Sequence, residues 1–375
     1  MRIAQVAPLY ESVPPKYYGG TERVVSYLTD ELVRQGHDVT LFAAGDSETT
    51  ARLVPGVHRS LRLDKHCIDE TSHHVLLIEQ IAQVQDEFDV IHFHLGYLHF
   101  PIARRLRTPH VSTQHGRLDI PDLLGLYSTF RDVANVSISD DQRKPMPWMN
   151  WVSTVYHGLD PNMYRFHESP GKYFAFLGRI SPEKRVDRAI AIAKEVGVPL
   201  KIAAKVDKVD VEYFETLIRP LLESELIEYV GEIGEGEKTE FLGNAGALIF
   251  PIDWPEPFGL VMIESLACGT PVIAYRRGSV PEVLTDGVDG WTVNTIDEAT
   301  QAAASTSIER RNCRDTFERR FTAATMASNY VETYERVIAG PTPATPPVRL
   351  RDTEAEAAAV LFRRESDRDP SLPDA

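Results

Sequence analysis

The chain has 375 residues, of which 43% are hydrophobic and 25% are charged, and its formal net charge is −15. This length and composition predict two globular domains, each with its own core. The acidic balance argues against a nucleic-acid-binding protein, which would carry a basic surface, and against binding to anionic lipid through bulk charge.

In the first half of the chain, short apolar segments alternate with helical patterns. The predicted buried strands are residues 3–9, 39–43, 90–93 and 110–113. After the first strand and a loop rich in proline and glycine, Thr21 can cap a helix that ends at Gly36. Strands that alternate with helices predict a parallel sheet covered on both faces.

The same alternation restarts after a polar segment, residues 161–172, which contains two prolines and a glycine and is predicted to be a linker. The predicted strands of the second half are residues 173–177, 200–204, 227–230, 247–252 and 272–275. The predicted helices are residues 182–196, 211–222 and 260–267. The architecture recurs without a sequence repeat, so we predict an α/β protein with two domains, residues 1–165 and 166–320.

The end of the chain combines a helical pattern with a proline-rich, charged segment. Apolar residues recur at helical spacing in residues 321–338, which predicts a last helix. Four prolines between positions 341 and 347 then stop regular structure. We predict that residues 339–375 form a largely disordered tail, with a short helix near residues 354–362.

The segment from Pro255 to Pro271 carries the strongest signal for a ligand site. It is predicted to be a strand end followed by Gly259, which opens a helix. A helix N-terminus offers free backbone N–H groups and a positive dipole, which favour a phosphate, and glycine lets a ligand approach the backbone closely. Glu256 precedes the helix and Glu264 lies about two turns inside it. Ionised carboxylates at these positions can accept hydrogen bonds from sugar hydroxyls.

A second segment, residues 176–187, places Arg179 and Lys184 after the carboxyl end of a strand. Open α/β sheets bind ligands at this edge. An arginine gives planar, bidentate contacts and a lysine gives a point charge, so the pair could converge on a diphosphate. Charged residues at the start of a helix are more often solvated, and a surface role is the alternative for this pair.

These segments resemble the motifs of glycosyltransferase family 4, in which two glutamates are separated by seven residues, as Glu256 and Glu264 are here. The resemblance covers residues 1 to about 338. It implies the GT-B fold: two Rossmann-like α/β/α domains that face each other across a cleft, with the helix 321–338 packing back on the first domain. It also implies retaining, metal-independent transfer of a hexose from a nucleotide-diphosphate sugar, UDP-glucose or a similar UDP-sugar, by front-face attack and without a cofactor.

The resemblance further implies roles for individual residues. Glu264 would accept hydrogen bonds from the ribose, Glu256 would hold hydroxyls of the transferred sugar, and His115 would face that sugar from the other domain. Arg179 and Lys184 would neutralise the leaving diphosphate. The remaining implied donor contacts are the glycine loop Gly19 and Gly20, the backbone amides of Phe258, Gly259, Leu260 and Val261, and the base region near Ile233.

The acceptor side is less well marked in the sequence. By resemblance, Ser139 and Arg143 belong to it, and His94 could line the same cleft. The acceptor could be a sugar, a lipid-linked molecule or another small molecule. His157 begins His-Gly-Leu-Asp where the family often has Asn-Gly before Val-Asp, which we interpret as structural variation in a turn.

The sequence indicates no metal site. The α/β part of the chain has no Asp-x-Asp motif, and Asp207 and Asp210 are interpreted as helix-cap or surface residues. The spacing of His92, His94 and His99 fits no zinc signature. The three cysteines, Cys67, Cys268 and Cys313, lack a CxxC pair, which predicts no disulfide framework and favours a reducing, cytoplasmic location.

Membrane contact is not indicated either. No segment approaches the ~20 apolar residues that cross a bilayer. The basic run Arg104, Arg105 and Arg107 could attract an anionic acceptor or lipid, although a solvated helix face is the favoured interpretation.

Two alternatives to sugar transfer are a GT-B phosphorylase or epimerase and a non-catalytic scaffold that binds nucleotide sugars. The glycine loop and the spaced glutamates favour a transferase over the other enzymes. A degenerate scaffold would be expected to lack some of Arg179, Lys184, Glu264 and His115, and all four are present.

Overall fold

The computed structural model describes residues 1–16, 19–305 and 307–340. The predicted tail beyond Gly340, including the helix predicted near residues 354–362, lies outside the described residues. In the first part of the chain, seven parallel strands form one sheet. They are β1 (Arg2–Val6), β2 (Asp38–Ala44), β3 (Arg52–Val57), β4 (Val90–Phe93), β5 (His110–Thr113), β6 (Asn135–Ser137) and β7 (Trp151–Thr154). Their order is β3-β2-β1-β4-β5-β6-β7.

Helices and short 3₁₀ turns connect these strands. The helices are α1 (Gly20–Arg34), α2 (Glu70–Val84), α3 (Phe100–Ala103) and α4 (Pro121–Thr129), and the 3₁₀ turns are Leu61–Leu63, Gln85–Glu87 and Asp141–Arg143. The apolar stripe of α1, from Val24 to Leu32, is buried against the sheet. This stripe is the reason that the segment folds as a helix on one face of the sheet.

A second sheet of six parallel strands follows. Its strands are β8 (Phe174–Arg179), β9 (Leu200–Lys205), β10 (Ile227–Gly231), β11 (Ala247–Phe250), β12 (Val272–Tyr275) and β13 (Gly290–Val293), in the order β10-β9-β8-β11-β12-β13. Both sheets thus have the doubly wound strand order of a dinucleotide-binding fold.

The second sheet is also surrounded by helical segments. These are α5 (Val186–Val196), α6 (Val211–Tyr213), α7 (Glu235–Gly243), α8 (Leu260–Ala267), α9 (Val280–Val283), α10 (Ile296–Ala304) and α11 (Arg310–Arg320). Shorter turns are the 3₁₀ segments Pro161–Met163, Pro182–Lys184, Lys208–Asp210 and Arg219–Leu222 and the π-helical segment Phe214–Ile218. The last helix, α12 (Ala323–Ala339), returns to the first sheet and buries Met326, Tyr330 and Tyr334 in its core.

The chain passes between the two sheets twice, and the two passages run side by side. Leu159 pairs with the backbone on either side of Thr322, through its N–H to Phe321 O (2.9 Å) and its O to Ala323 N (2.8 Å). A side chain on Gly158 would overlap the Thr322 carbonyl. Only glycine allows the two backbones to approach this closely.

Several predicted elements need correction. The first strand ends at Val6 and not at residue 9, and the N-cap of α1 is Gly19 and not Thr21. The predicted helix 182–196 is interrupted at Arg185, whose φ of +52° separates a 3₁₀ turn from α5. The predicted helix 211–222 is divided into short α, π and 3₁₀ segments. Strands β3, β6, β7 and β13 were not predicted.

Candidate functional site

The site lies where the carboxyl edges of the two sheets face each other. In each sheet the connections diverge beside the first strand, between β1 and β4 and between β8 and β11, which opens a crevice. The loop after β1 leads to Gly20 at the start of α1, and the loop after β11 leads to Gly259 before α8. A Cβ on Gly20 would lie 3.7 Å from Leu260 Cδ1. The two helix starts therefore face each other across the cleft.

The start of α8 offers unused backbone donors. Gly259 has φ 80° and ψ 67°, in the left-handed region that glycine adopts without strain. The Met262 N–H donates to Gly259 O at 3.0 Å and begins the helical ladder. The amides of Leu260 and Val261 precede that bond and belong to the first turn, whose N–H groups have no acceptor within the helix. This geometry suits an anion.

Phe258 contributes through its backbone and anchors the turn with its ring. The ring is 2% exposed and packs edge-on against His157, with centroids 4.9 Å apart. The Phe258 carbonyl accepts a hydrogen bond from the Ser279 hydroxyl at 2.8 Å. The side chain is thus a core residue that fixes the path of the loop before α8.

Glu256 and Lys184, predicted to act on the sugar and on the diphosphate, form an ion pair with each other. The same carboxylate oxygen, Oε2, accepts from Trp254 Nε1 at 3.0 Å. Lys184 Nζ lies 5.0 Å from the centre of the Trp254 ring, and the Arg117 guanidinium of the other domain lies 5.7 Å from it. The contacts of Lys184 and Trp254 with Glu256 use the same carboxylate oxygen. Neither Trp254 nor Arg117 was predicted, because their ring contacts with each other and with Lys184 join residues that are distant along the chain.

The loop before α9 supports Glu256 from behind. The Ser279 N–H donates to Glu256 O at 3.0 Å. A side chain on Gly278, whose φ is +55°, would overlap the backbone N and O of Glu256. Gly278 is therefore required for the position of the glutamate, a role that no local motif indicated.

Arg179 and Lys184 are bound to different carboxylates. Arg179 pairs with Glu183 at 3.0 Å and with Asp207 at 3.3 Å. Asp207 also pairs with Lys205 at 3.0 Å. Asp207 and Asp210 occupy the N-cap positions of the 3₁₀ turn Lys208–Asp210 and of α6, as the helix-cap interpretation expects, but neither side chain accepts a capping hydrogen bond.

Glu264 lies in a buried cluster of charges that joins the two domains. Its side chain is 3% exposed, and its Oε1 accepts from Lys238 at 2.7 Å, from Arg23 at 3.3 Å and from Tyr164 at 3.3 Å. Arg23, on α1, also pairs with Glu235 at 2.7 Å. Burial would raise the pKa of Glu264, but the charges of Lys238 and Arg23 outweigh it and hold this pKa below its ordinary value. Glu264 is therefore ionised, with its contacts concentrated on one oxygen.

His115 faces this region from the loop after β5. Its ring stacks on His157 with centroids 5.3 Å apart, and its Nε2 lies 2.8 Å from His94 Nδ1. Burial lowers the pKa of His115 to about 3, so the ring is neutral. The interpretation of His157 as mere turn variation was incomplete, because its side chain lies in the site.

Ser139 and Arg143, predicted on the acceptor side, make structural contacts. Ser139 Oγ accepts from Gln142 N at 3.1 Å, and Arg143 Nε donates to Ser137 Oγ at 2.6 Å. Gln142, from the same segment, contacts the loop that carries His115. Its Nε2 donates to the carbonyls on either side of that histidine, Gln114 O at 2.8 Å and Gly116 O at 2.7 Å.

The other predicted donor contacts are two glycines and an isoleucine. Gly19 is buried, and a Cβ there would lie 2.8 Å from Pro15 Cβ. Ile233 is half-buried in the turn between β10 and α7, and Lys238 of α7 joins the buried charges five residues later.

The other histidines of the predicted cluster and the basic run make contacts within the first domain, although neither ring nitrogen of His99 has a hydrogen-bond partner among the described residues. His92 bonds Tyr334 and Thr113, and His99 stacks on Phe93 with centroids 4.0 Å apart. Within the described ranges, no three His, Cys, Asp or Glu residues are grouped as a metal site would require. The basic run follows the four-residue α3 and does not lie on a helix face; its members Arg104 and Arg107 pair with Asp132 and Asp86.

The three cysteines are free, with Cys268 and Cys313 buried. In the part of the chain that the structure describes, no helix is both long enough and apolar enough to cross a bilayer.

Comparison with known proteins identifies the family. Residues 18–152 match the model described as Glycosyltransferase Family 4, and residues 165–324 match the model described as Glycosyl transferases group 1. An uncharacterised glycosyltransferase of Methanocaldococcus jannaschii is 24% identical over 341 residues, which cover 77% of this chain and 84% of the relative.

Solved structures share the architecture. AviGT4, a glycosyltransferase involved in avilamycin A biosynthesis, superposes with a TM-score of 0.69 at 24% identity, over 91% of this chain and 98% of its own. HepE of Anabaena, solved in complex with UDP and glucose, superposes with a TM-score of 0.70 at 16% identity, over 90% and 100% of the two chains. The two doubly wound sheets, the facing helix starts and these matches together show that the chain is a GT-B glycosyltransferase of family 4.

Proposed function

We propose that this glycosyltransferase moves a hexose from a UDP-hexose, with UDP-glucose as the first candidate, with retention of the anomeric configuration. The observation that carries the proposal is the left-handed turn at Gly259, which opens α8 with Glu256 before it and Glu264 inside it. The free amides suit a diphosphate, and the two ionisable carboxylates suit the hydroxyls on either side of it. The complexes of HepE with UDP and glucose and with UDP-glucose support uridine as the nucleoside of the donor.

The leaving diphosphate would be stabilised by the protein's own positive groups. Lys184 lies beside Glu256 at the end of the cleft where α8 begins, and the helix contributes its positive N-terminus. Bound donor would divide the charge of Lys184 between Glu256 and the phosphate, and Arg179 would supply a second cation. We propose on this basis that transfer needs no divalent metal.

Front-face transfer accounts for retention without a covalent intermediate. The bond between the anomeric carbon and the phosphate oxygen breaks, and the acceptor oxygen bonds to the same face of that carbon. The acceptor proton passes to the departing phosphate oxygen. Neutral His115 would orient the sugar, since a ring with a pKa of about 3 is a poor proton acceptor at neutral pH.

The donor proposal is tested by thermal unfolding with nucleotides and nucleotide sugars in the presence of EDTA. A ligand at 100 times its Kd stabilises the folded protein by about 2.7 kcal/mol. We expect selective stabilisation by UDP and one UDP-hexose. The absence of a shift with every nucleotide and nucleotide sugar at saturation would refute the donor proposal and also the scaffold that binds nucleotide sugars.

Retention and metal independence need a measurement of the reaction. Slow hydrolysis of the UDP-hexose in place of transfer releases a free sugar, whose first-formed anomer is read by NMR before mutarotation. We expect the donor's own configuration and an unchanged rate in EDTA. The inverted anomer would refute front-face transfer, and a rate restored only by added Mg²⁺ or Mn²⁺ would refute the metal-free proposal. The acceptor, a sugar, a lipid-linked molecule or another small molecule, is to be found by screening with the identified donor.

A further inference from the structure

A chain of buried hydrogen bonds connects the last helix, α12, to His115. Gln5 Nε2 donates to the Tyr334 hydroxyl at 2.9 Å, Gln5 Oε1 lies 2.8 Å from His94 Nε2, and His94 Nδ1 lies 2.8 Å from His115 Nε2. Gln5 and Tyr334 are fully buried and His94 is 3% exposed. At the end of this chain, Nδ1 of His115 is enclosed and has no hydrogen-bond partner among the residues that the structure describes.

The amide of Gln5 gives the chain a direction. A carbonyl oxygen only accepts, so His94 must donate from Nε2 to Gln5 Oε1. Burial lowers the pKa of His94 well below its ordinary value, so the ring is neutral and its Nδ1 can only accept. His115 must then donate from Nε2 to His94. Neutral His115 is left with a lone pair on Nδ1.

Tyr334 provides an acceptor that matches the amide in this orientation. Its hydroxyl oxygen accepts from Gln5 Nε2 and its proton is available for His92 Nδ1, at 2.8 Å. His92 can then donate from Nε2 to Thr113 Oγ1, at 2.7 Å. From Thr113 to His115, each hydrogen bond of this network thus joins one donor to one acceptor. The atom that lacks a partner among the described residues is Nδ1 of His115.

We propose that Gln5, held by Tyr334, is a positioning residue that fixes His115 in the tautomer whose Nδ1 accepts a hydrogen bond from a hydroxyl of the donor sugar. The part about the sugar rests on the proposed function, whereas the tautomer is a property of the protein alone. The consequence for specificity is that the sugar must carry a hydrogen-bond donor at the position that His115 faces. Through Tyr334, helix α12 thereby determines which nitrogen of His115 can accept a hydrogen bond from the sugar.

The tautomer is measured directly on the full chain labelled with ¹⁵N-histidine, because a protonated ring nitrogen and one with a lone pair differ in NMR chemical shift. Loss of the signal in His115→Asn assigns it. We expect His115 to carry its proton on Nε2 in the wild type and to populate both tautomers in Gln5→Leu. A proton on Nδ1 in the wild type, or an unchanged tautomer in Gln5→Leu, would overturn the proposal.

A second pair of variants guards against a folding defect in Gln5→Leu. Tyr334→Phe removes the hydroxyl that holds the amide and should also mix the tautomers. Tyr330→Phe is the matched control, because Tyr330 is equally buried on the same helix and bonds Thr113 rather than Gln5. An equal effect of both substitutions would assign the change to packing and overturn the relay.

Calorimetry separates the relay from the proposed donor. Gln5→Leu should weaken UDP-hexose binding by roughly 3–10-fold, the range for one neutral hydrogen bond, and leave UDP binding unchanged. Equal weakening of both ligands would show a general disturbance and refute the positioning role. A wild type that binds no UDP-hexose would refute the donor proposal, whereas the tautomer measurement requires no ligand and would still decide the state of His115.

Discussion

Replacement of Glu264 by Gln tests the donor site and the buried charge cluster together. The substitution keeps the shape of the side chain and removes its charge. As a ribose contact, Glu264 should contribute on the order of 1–3 kcal/mol, so Glu264→Gln should weaken UDP binding by about 5–150-fold. Removing one partner of a buried ion pair costs roughly 3–5 kcal/mol of stability. We expect the lower end of this range, because Lys238 and Arg23 both still pair with Glu235.

Glu235→Gln is the control for this prediction. Glu235 contributes the same charge to the same cluster, but its side chain is 23% exposed and lies on α7 instead of α8. Both variants should lower the midpoint of urea unfolding, and only Glu264→Gln should weaken UDP binding measured by calorimetry at a temperature where both are folded. Wild-type UDP affinity in Glu264→Gln, or equal weakening in Glu235→Gln, would refute the assigned role.

Three further predictions concern acid stability, the support of Glu256 and the contact between domains. Burial keeps five histidines neutral in the folded protein, so below about pH 6.5 they take up protons only on unfolding. The free energy of unfolding should therefore decrease as the pH is lowered, by on the order of 1 kcal/mol per pH unit for each histidine. Glu22 offsets one of these contributions, because burial raises its pKa to about 7 in the folded protein. His99→Phe should reduce that slope in urea titrations by one proton, and an unchanged slope would contradict the assignment. Gly278→Ala should lower the free energy of unfolding by about 1–2 kcal/mol from the positive φ alone. Because it displaces Glu256, it should also weaken UDP-hexose binding more than UDP binding, and equal effects on the two ligands would contradict the support of Glu256 by Gly278. Arg23→Met removes the ion pairs from α1 to Glu235 and Glu264 and should increase the radius of gyration in X-ray scattering without nucleotide; identical scattering would show that other contacts hold the cleft closed.

Where local patterns were strong, the fold could be predicted closely. The strands Val90–Phe93, His110–Thr113 and Val272–Tyr275 and the helix Leu260–Ala267 have the predicted bounds. Val272–Tyr275 is apolar over its whole length, and Val90–Phe93 is apolar except for His92. His110–Thr113 begins directly after Pro109, and Leu260–Ala267 begins directly after Gly259. Their local sequence and their burial therefore indicate the same element.

The missed elements have patterns that tertiary contacts override. Strand β3 contains Pro55 and Gly56, which an edge position tolerates because the proline needs no ladder partner on its open side. Helix α11 reads as a solvated, highly charged segment, yet Arg310 at its start is 6% exposed. Its guanidinium donates to the carbonyls of Ala245 (2.8 Å) and Gly243 (2.7 Å). A buried arginine of this kind cannot be recognised before its acceptors are in place.

The sequence by itself determined the groups that each of two segments brings together. One segment contains the glycine that opens α8 and the carboxylates of Glu256 and Glu264 around it, and the other contains the basic residues Arg179 and Lys184 at the end of β8. Local geometry suffices there, because a turn and a helix fix positions within a few residues. Only the tertiary structure decided which charges meet. Arg23 and Glu264 are 241 residues apart, and His157 stacks on His115 only once β7 has joined the first sheet. The strength of such contacts depends on burial, which is a property of the closed fold and not of any one segment.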